Sequence, residues 1–184
     1  RTLVLTHKYF GGVVPTLGEL TETDQQAITE IAEYPARISA SIEAYRFREA
    51  LNEMMNLARL GNKYLTETEP WKNFATNPER VKTNLNISLQ ICANLSILCE
   101  PFLPFTSGKL TGMLNMGLLE WSIAGSADLL PAGHTLNAPA FLFERIEDDA
   151  IAAQIKKLTD TKAENAAENR VVTPQKPEIT YDDF

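Results

Sequence analysis

Only two cysteines and two histidines occur in the 184 residues, and that scarcity removes most site chemistry at the outset. The cysteines are Cys92 and Cys99, the histidines His7 and His134. There is no CxxC, no HExxH or HxxxH pair, no GxxxxGK[ST] loop and no GxSxG elbow, so dithiol, zinc-peptidase, P-loop and serine-hydrolase chemistry find no residues to act through. No catalytic residue and no metal ligand is assigned. On one helix the two cysteines would stand about 10.5 Å apart, at about 1.5 Å per residue. A disulfide requires Cα atoms within roughly 7 Å, so they read as small buried apolar residues in a reducing compartment. No apolar run approaches the roughly 18 residues of a membrane span, and the chain does not open on a charged and then apolar leader. A cytoplasmic location with no membrane partner is expected. Basic charge is also in deficit: the net charge is -7 and the pI about 4.9, so no global field draws in nucleic acid. Any such contact has to be local.

What is present is the material of an ordinary globular domain, 44% apolar and 22% charged. The first residue is Arg1, and RTLVLTHKYF begins at once with apolar residues at 3, 4, 5, 9 and 10. This reads as the last turns of a helix that starts upstream, so the chain is expected to be a piece of something longer. Gly11, Gly12, Pro15 and Gly18 mark a connector, with Gly11 or Gly12 as the helix C-cap. Thr21 or Thr23 can cap a second helix whose apolar residues run from Ile28 to Tyr45, and Pro35 is expected to kink it. A third helix places Phe47, Ala50, Leu51, Met54, Leu57, Ala58 and Leu65 on one face, read as core. Arg48, Asn52, Asn56, Arg59 and Lys63 line the opposite, solvated face. Pro78 and Glu79 open a fourth helix, apolar on most of its circumference and therefore central. EPFLPF breaks it, SGKLTGMLNM resumes as a shorter helix, and residues 117–139 carry no regular pattern.

The predicted fold is therefore all-α, a bundle of about five main helices over residues 1–147. Residues 148–158 form a terminal helix expected to dock on the bundle or on another domain. Acidic Glu147, Asp148 and Asp149 at its start complement the helix dipole. Residues 159–177 read as a flexible linker and 178–184 as the first strand of a further domain.

Two tryptophans need a setting. Trp121 reads as a core or edge packing residue. Trp71 follows Pro70 at the end of the third helix, beyond polar Glu67, Thr68 and Glu69. Pro70 fixes its own φ and moves Glu69 out of the helical region. Two readings stay open on spacing alone, and burial under the bundle is the favoured one. In the other, a stiffly held indole near Lys63, Lys72 and Arg80 is a platform for an unpaired base, worth about 1–3 kcal/mol.

Four segments carry more than spacing. FREALNEMMNLARLGNKYLTETEPWK, with its N-[KR]-Y helix end and its Pro-Trp, resembles the anticodon-binding domain of the methionyl-tRNA synthetase family. Arg1 with HKYFGG resembles the first helix of that domain, CEPFLPFTSGKL its proline-broken segment, and LFERIE its Leu-Phe-x-Arg-Ile-Glu run. They occur in the family's order and cover residues 1–147. The resemblance implies a class I aminoacyl-tRNA synthetase in which a helix bundle reads the CAU anticodon of tRNA(Met), while a separate catalytic domain activates methionine with ATP. It implies that Trp71, after Pro70, stacks on the wobble cytosine and that Arg1 contacts the anticodon. An asparagine paired with that arginine would lie before Arg1. Lys8, Asn62, Lys63 and Lys72 join these as possible RNA contacts, and Asn62 and Tyr64 also read as helix-end and packing residues. Ten of the seventeen Lys and Arg fall in residues 1–82, whereas residues 83–144 hold only Lys109. That distribution suits a local phosphate contact.

The family's HIGH- and KMSKS-type signatures and its zinc-binding insert are absent, so this chain is expected not to aminoacylate by itself. No cofactor is expected in it; ATP, magnesium and zinc belong to the full-length enzyme. ITYDDF resembles the start of an OB-fold appendix that supports homodimers in some bacterial members. The alternatives are a helical protein-docking module and the equivalent domain of another class I synthetase.

Overall fold

The computed structural model describes residues 1–117 and 120–167. They divide into two units, Arg1–Phe143 and Glu144–Phe184. In the first unit the helices are α1 (Thr2–Phe10), α2 (Glu22–Glu43), α3 (Phe47–Thr68), α4 (Pro70–Asn73), α5 (Pro78–Leu98) and α6 (Pro104–Leu114), with a single 3-10 turn at Trp121–Ile123. The second contains α7, Asp148–Ala167. Five main helices pack as a bundle, as the apolar spacing predicts, around three buried apolar clusters, and no β-strand occurs among the described residues beyond the isolated bridge Val13–Thr135.

α5 is the axis. Asn77 caps it by accepting from Arg80 N–H, and Pro78 sits where its missing N–H costs nothing. Leu85, Ile87, Leu89 and Ile91 are all buried because neighbours cover every side of the helix. Its polar residues tie down connectors: Asn86 donates to Pro15 O at 2.7 Å, Gln90 donates to Leu130 O and accepts from Leu129 and Leu130 N–H, and Asn94 bonds Ser126 O and Gly125 N–H. These bonds satisfy loop backbone that lies against the core and would otherwise go unpaired.

α2 begins at Thr21, whose backbone N–H and hydroxyl both donate to Asp24. It runs unbroken through Pro35 to Glu43, with Ile31, Tyr34 and Ile38 against Ala50, Met54 and Leu57 of α3. The α3 stripe is narrower than its sequence pattern: Phe47 and Leu51 are exposed, whereas Ala50 between them is buried with Met54 and Leu57. Pro104 opens α6 at its first position rather than ending a break. Cys99 is core and Cys92 half-buried, both free, with burial pushing each thiol pKa up. Trp121 packs on the α2–α3–α5 core.

α1 ends at Gly11 in the left-handed conformation, φ 62°. His7 turns back over Gly12 and hydrogen-bonds Asn137 O at 2.9 Å, while His134 bonds Leu114 O at 2.8 Å. Both histidines thus hold loops.

α7 starts at Asp148, with Asp148 and Asp149 in its first turn. It continues to Ala167, past the linker start expected at Thr159, because Lys162, Ala163, Glu164, Ala166 and Ala167 are good helix formers. Ile151, Ile155 and Leu158 are exposed along it. The rest of the expected linker, and the strand expected at 178–184, lie outside the described residues.

Candidate functional site

Between α3 and α4 the chain turns on one residue. Glu69 has φ 39° and ψ 55°, closing α3 and opening α4, and Pro70 follows as the first residue of the short helix. Proline disfavours a right-handed helical residue before it, and Glu69 leaves that region for the left-handed one, at a cost of roughly 1–2 kcal/mol. Its carbonyl accepts from Lys72 and Asn73 N–H, and Asn73 Nδ2 donates to Thr68 O at 2.9 Å, so the turn is braced from both sides.

Pro70 is buried, and Trp71 is 40% exposed and belongs to none of the buried clusters. Of the two settings open on spacing, the indole therefore takes the outward one. Three residues on, Phe74 stacks on Tyr9 of α1 with ring centroids 4.1 Å apart and meets Phe10 edge-on at 5.9 Å. These rings lie on Leu65, Val81 and Leu85, a small core that fastens the turn to α1, α3 and α5.

Arg1, Leu5 and Tyr9 recur every four residues on one face of α1. Leu5 and Tyr9 pack onto that small core, so their face brings Arg1 beside α3. There Arg1 and Asn62, both exposed, line one apolar cavity of about 490 Å³ with Leu65 and Cys92. Lys8 lies 5.3 Å from the Tyr9 ring centroid. Lys72 pairs with Glu69 at 2.7 Å and Lys63 faces Glu67 at 4.0 Å, all of them substantially exposed. Lys63 opens onto a different, polar cavity, lined also by Arg80.

Arg80 is not part of the exposed platform. Its guanidinium grips Asp24 at 2.5 and 2.7 Å, and Tyr64 donates to the same carboxylate at 2.5 Å. Burial alone would raise the Asp24 pKa, but bonds from Arg80, Tyr64 and Thr21 outweigh it and hold the value at about 2. Burial, and then donation to Asp24, push the Tyr64 hydroxyl well above its ordinary range. Tyr64 is thus a packing residue, as its place at the end of α3 suggested.

Sequence reasoning missed Phe74, Tyr9 and the Asp24–Arg80–Tyr64 network. The aromatic residues in HKYF and WKNF were the available signal, but Tyr9 and Phe74 stand 65 positions apart and Asp24 and Arg80 stand 56 apart.

A family model described as the anticodon binding domain of methionyl tRNA ligase matches residues 14–163. Over 184 residues the chain is 57% identical to a methionine–tRNA ligase of Cytophaga hutchinsonii, and over 186 it is 54% identical to that of Flavobacterium psychrophilum. Each comparison takes in 100% of this chain and 27% of the relative, so the chain spans about a quarter of those proteins' length. Among solved structures, the fold is similar to apo Mycobacterium tuberculosis methionyl-tRNA synthetase, with a TM-score of 0.69 at 22% identity, covering 80% of this chain and 30% of that one.

Proposed function

Since the chain belongs to the family of methionyl tRNA ligase anticodon-binding domains, we propose that it holds the anticodon loop of tRNA(Met) and reads its CAU sequence. Trp71 stacks on the first anticodon base, Pro70 holds the indole outward, and Arg1 reaches a base or phosphate of the loop. Asn62, sharing a cavity with Arg1, stands where it can add a polar contact. Lys8, Lys63 and Lys72 neutralise loop phosphates. The surface pairs of Lys63 and Lys72 with Glu67 and Glu69 contribute little and exchange readily for phosphate.

The observation that carries this reading is the contrast at the turn: Pro70 is buried, Phe74 is stacked, and the indole between them is left outside the core. Single-stranded loops suit such a platform because their bases splay out and stack on aromatic rings.

In this proposal the longer enzyme attaches methionine to tRNA(Met) in the cytoplasm, with ATP used by a catalytic domain beyond these residues. A solved relative from Mycobacterium tuberculosis is in complex with methionyl-adenylate. Magnesium and zinc are assigned, with ATP, to other parts of that enzyme. The exposed stripe of α7 docks against the catalytic domain, and an appended domain after residue 178 pairs subunits. No helix among the described residues is long and apolar enough to cross a membrane.

The test is binding of this chain to an RNA hairpin carrying the CAU loop and to one with its first anticodon base changed. Weaker binding to the changed hairpin supports base reading, and equal affinity for the two overturns it.

A further inference from the structure

Trp71 stands two residues after Glu69, so the direction of its indole follows from the backbone angles of that glutamate. Three described non-glycine residues have positive φ, Tyr45, Glu69 and Asn115, and of these only Glu69 precedes a proline. A proline drives the residue before it towards extended backbone, with ψ of about 120–160°, whereas Glu69 has ψ 55°. Neither the glutamate nor its neighbour favours the conformation seen. Such a residue keeps it only where the surroundings impose it.

One side chain beyond the strained residue imposes it. Asn73 Nδ2 donates to Thr68 O at 2.9 Å, reaching back across Glu69 to one of the carbonyls that the end of a helix leaves free. Thr68 in turn donates its hydroxyl to Tyr64 O at 2.8 Å, and Tyr64 is anchored on buried Asp24, so the clamp is fastened to the fixed part of α3. Phe74 holds the far end of α4 on Tyr9, which leaves Glu69 as the joint about which Pro70 and Trp71 turn. Without the bond from Asn73, Glu69 is free to relax to the extended form that its proline prefers, and the indole loses its direction.

We infer that Asn73 is a positioning residue for base stacking: its amide holds Glu69 left-handed and so sets the direction in which Trp71 offers its ring. The inference rests on the RNA reading above and deepens it. A turn that is only fractionally in the competent form binds with an affinity reduced by that fraction.

The test measures the stack apart from the phosphates in the full 184-residue chain. Its readout is the ratio of affinities for a CAU hairpin and for the same hairpin with an abasic first anticodon position, in which the phosphate contacts cancel. The unmodified chain is expected to show a ratio of roughly 5- to 100-fold, the worth of one stacked base. Asn73→Ala is expected to lower that ratio roughly three- to tenfold, the loss of one net hydrogen bond, and to move the melting temperature by no more than about 3 °C. Glu69→Gly added to Asn73→Ala is expected to regain most of the ratio, because glycine takes the left-handed conformation without strain and no longer needs the clamp. An Asn73→Ala ratio equal to that of the unmodified chain, whatever the melting temperature does, overturns the inference; with Trp71→Ala abolishing the ratio, the anticodon reading stands. A double variant with a ratio as low as that of Asn73→Ala also overturns it, since the amide then acts by touching RNA and not through the backbone of Glu69. An unmodified chain that does not distinguish the two hairpins overturns the inference and the stacking role of Trp71 together.

Discussion

Tyr64, near the end of α3, donates its hydroxyl to Asp24 Oδ1 at 2.5 Å, and both groups are buried. With Arg80 on the same carboxylate, this joins α2, α3 and α5 directly behind the turn that carries Trp71. A hydrogen bond to a charged partner contributes about 1.5–3 kcal/mol, so Tyr64→Phe is expected to cost that much. Asp24→Ala leaves Arg80 without its counter-ion and should cost about 3–5 kcal/mol. Urea unfolding checks both, with a lower midpoint at unchanged slope. A Tyr64→Phe midpoint equal to the parent's would mean the bond adds nothing.

Acid should loosen the same joint. The folded Asp24 pKa of about 2 lies below its ordinary 3.8, so its contribution is fully present above about pH 4 and is lost as pH falls through about 2. The shift corresponds to on the order of 2 kcal/mol. Melting curves between pH 5 and roughly pH 2 should show this loss, and Asp24→Asn should flatten the curve across that window. An equally steep curve in the variant would assign the acid sensitivity to other carboxylates.

Trp71→Ala separates a reader from a core residue. The indole is 40% exposed and outside the buried clusters, so its removal is expected to shift the melting temperature by less than about 2 °C. Affinity for the CAU hairpin should fall roughly 5- to 100-fold, the loss of one base stack. A large fall in melting temperature with little change in RNA affinity would contradict the site.

Where local chemistry decides, the sequence was readable. Thr21 or Thr23, Gly11 or Gly12, and Pro78 with Glu79 marked helix ends, and the hydrogen bonds and φ angles of the folded chain select Thr21 and Gly11 and add Asn77 as the cap before Pro78. The all-round apolar pattern of α5 marks the central helix. What remained hidden depends on pairs remote in sequence. Pro70 shows that the chain must leave α3, yet not that Glu69 turns left-handed or that Trp71 points outward, because Phe74 meets Tyr9 only in the folded chain. Arg80 looked like a free cation in the sequence for the same reason: its partner Asp24 is on another helix.

Phe74→Ala tests whether the turn is held by α1. Phe74 stacks on Tyr9 and lies against the Leu65, Val81 and Leu85 core, so its loss is expected to cost about 3 kcal/mol and free the end of α1. Hydrogen exchange should then rise over Leu5–Phe10 and Trp71–Asn77 together, with the α2–α3 pairing unchanged. A rise confined to one of these segments would show that the stack does not couple them.

Gly12→Ala asks why two glycines follow Phe10. Gly11 has open space beside it and needs only its left-handed φ, 62°. Gly12 has φ 79°, and a Cβ there would come within 2.5 Å of His7 Cε1 and 2.7 Å of Nδ1. The alanine is strained by its backbone and by the imidazole at once, and relief requires His7 to swing away from Asn137 O. A loss of roughly 2–3 kcal/mol is expected. Gly11→Ala, which meets no side chain, should lose only about 1 kcal/mol. In a Gly12→Ala, His7→Ala double variant the ring is gone, so the combined loss should be smaller than the sum of the two single losses by about 1 kcal/mol. Strictly additive losses would show that the backbone angle alone, and not the packing of His7, requires glycine at this position.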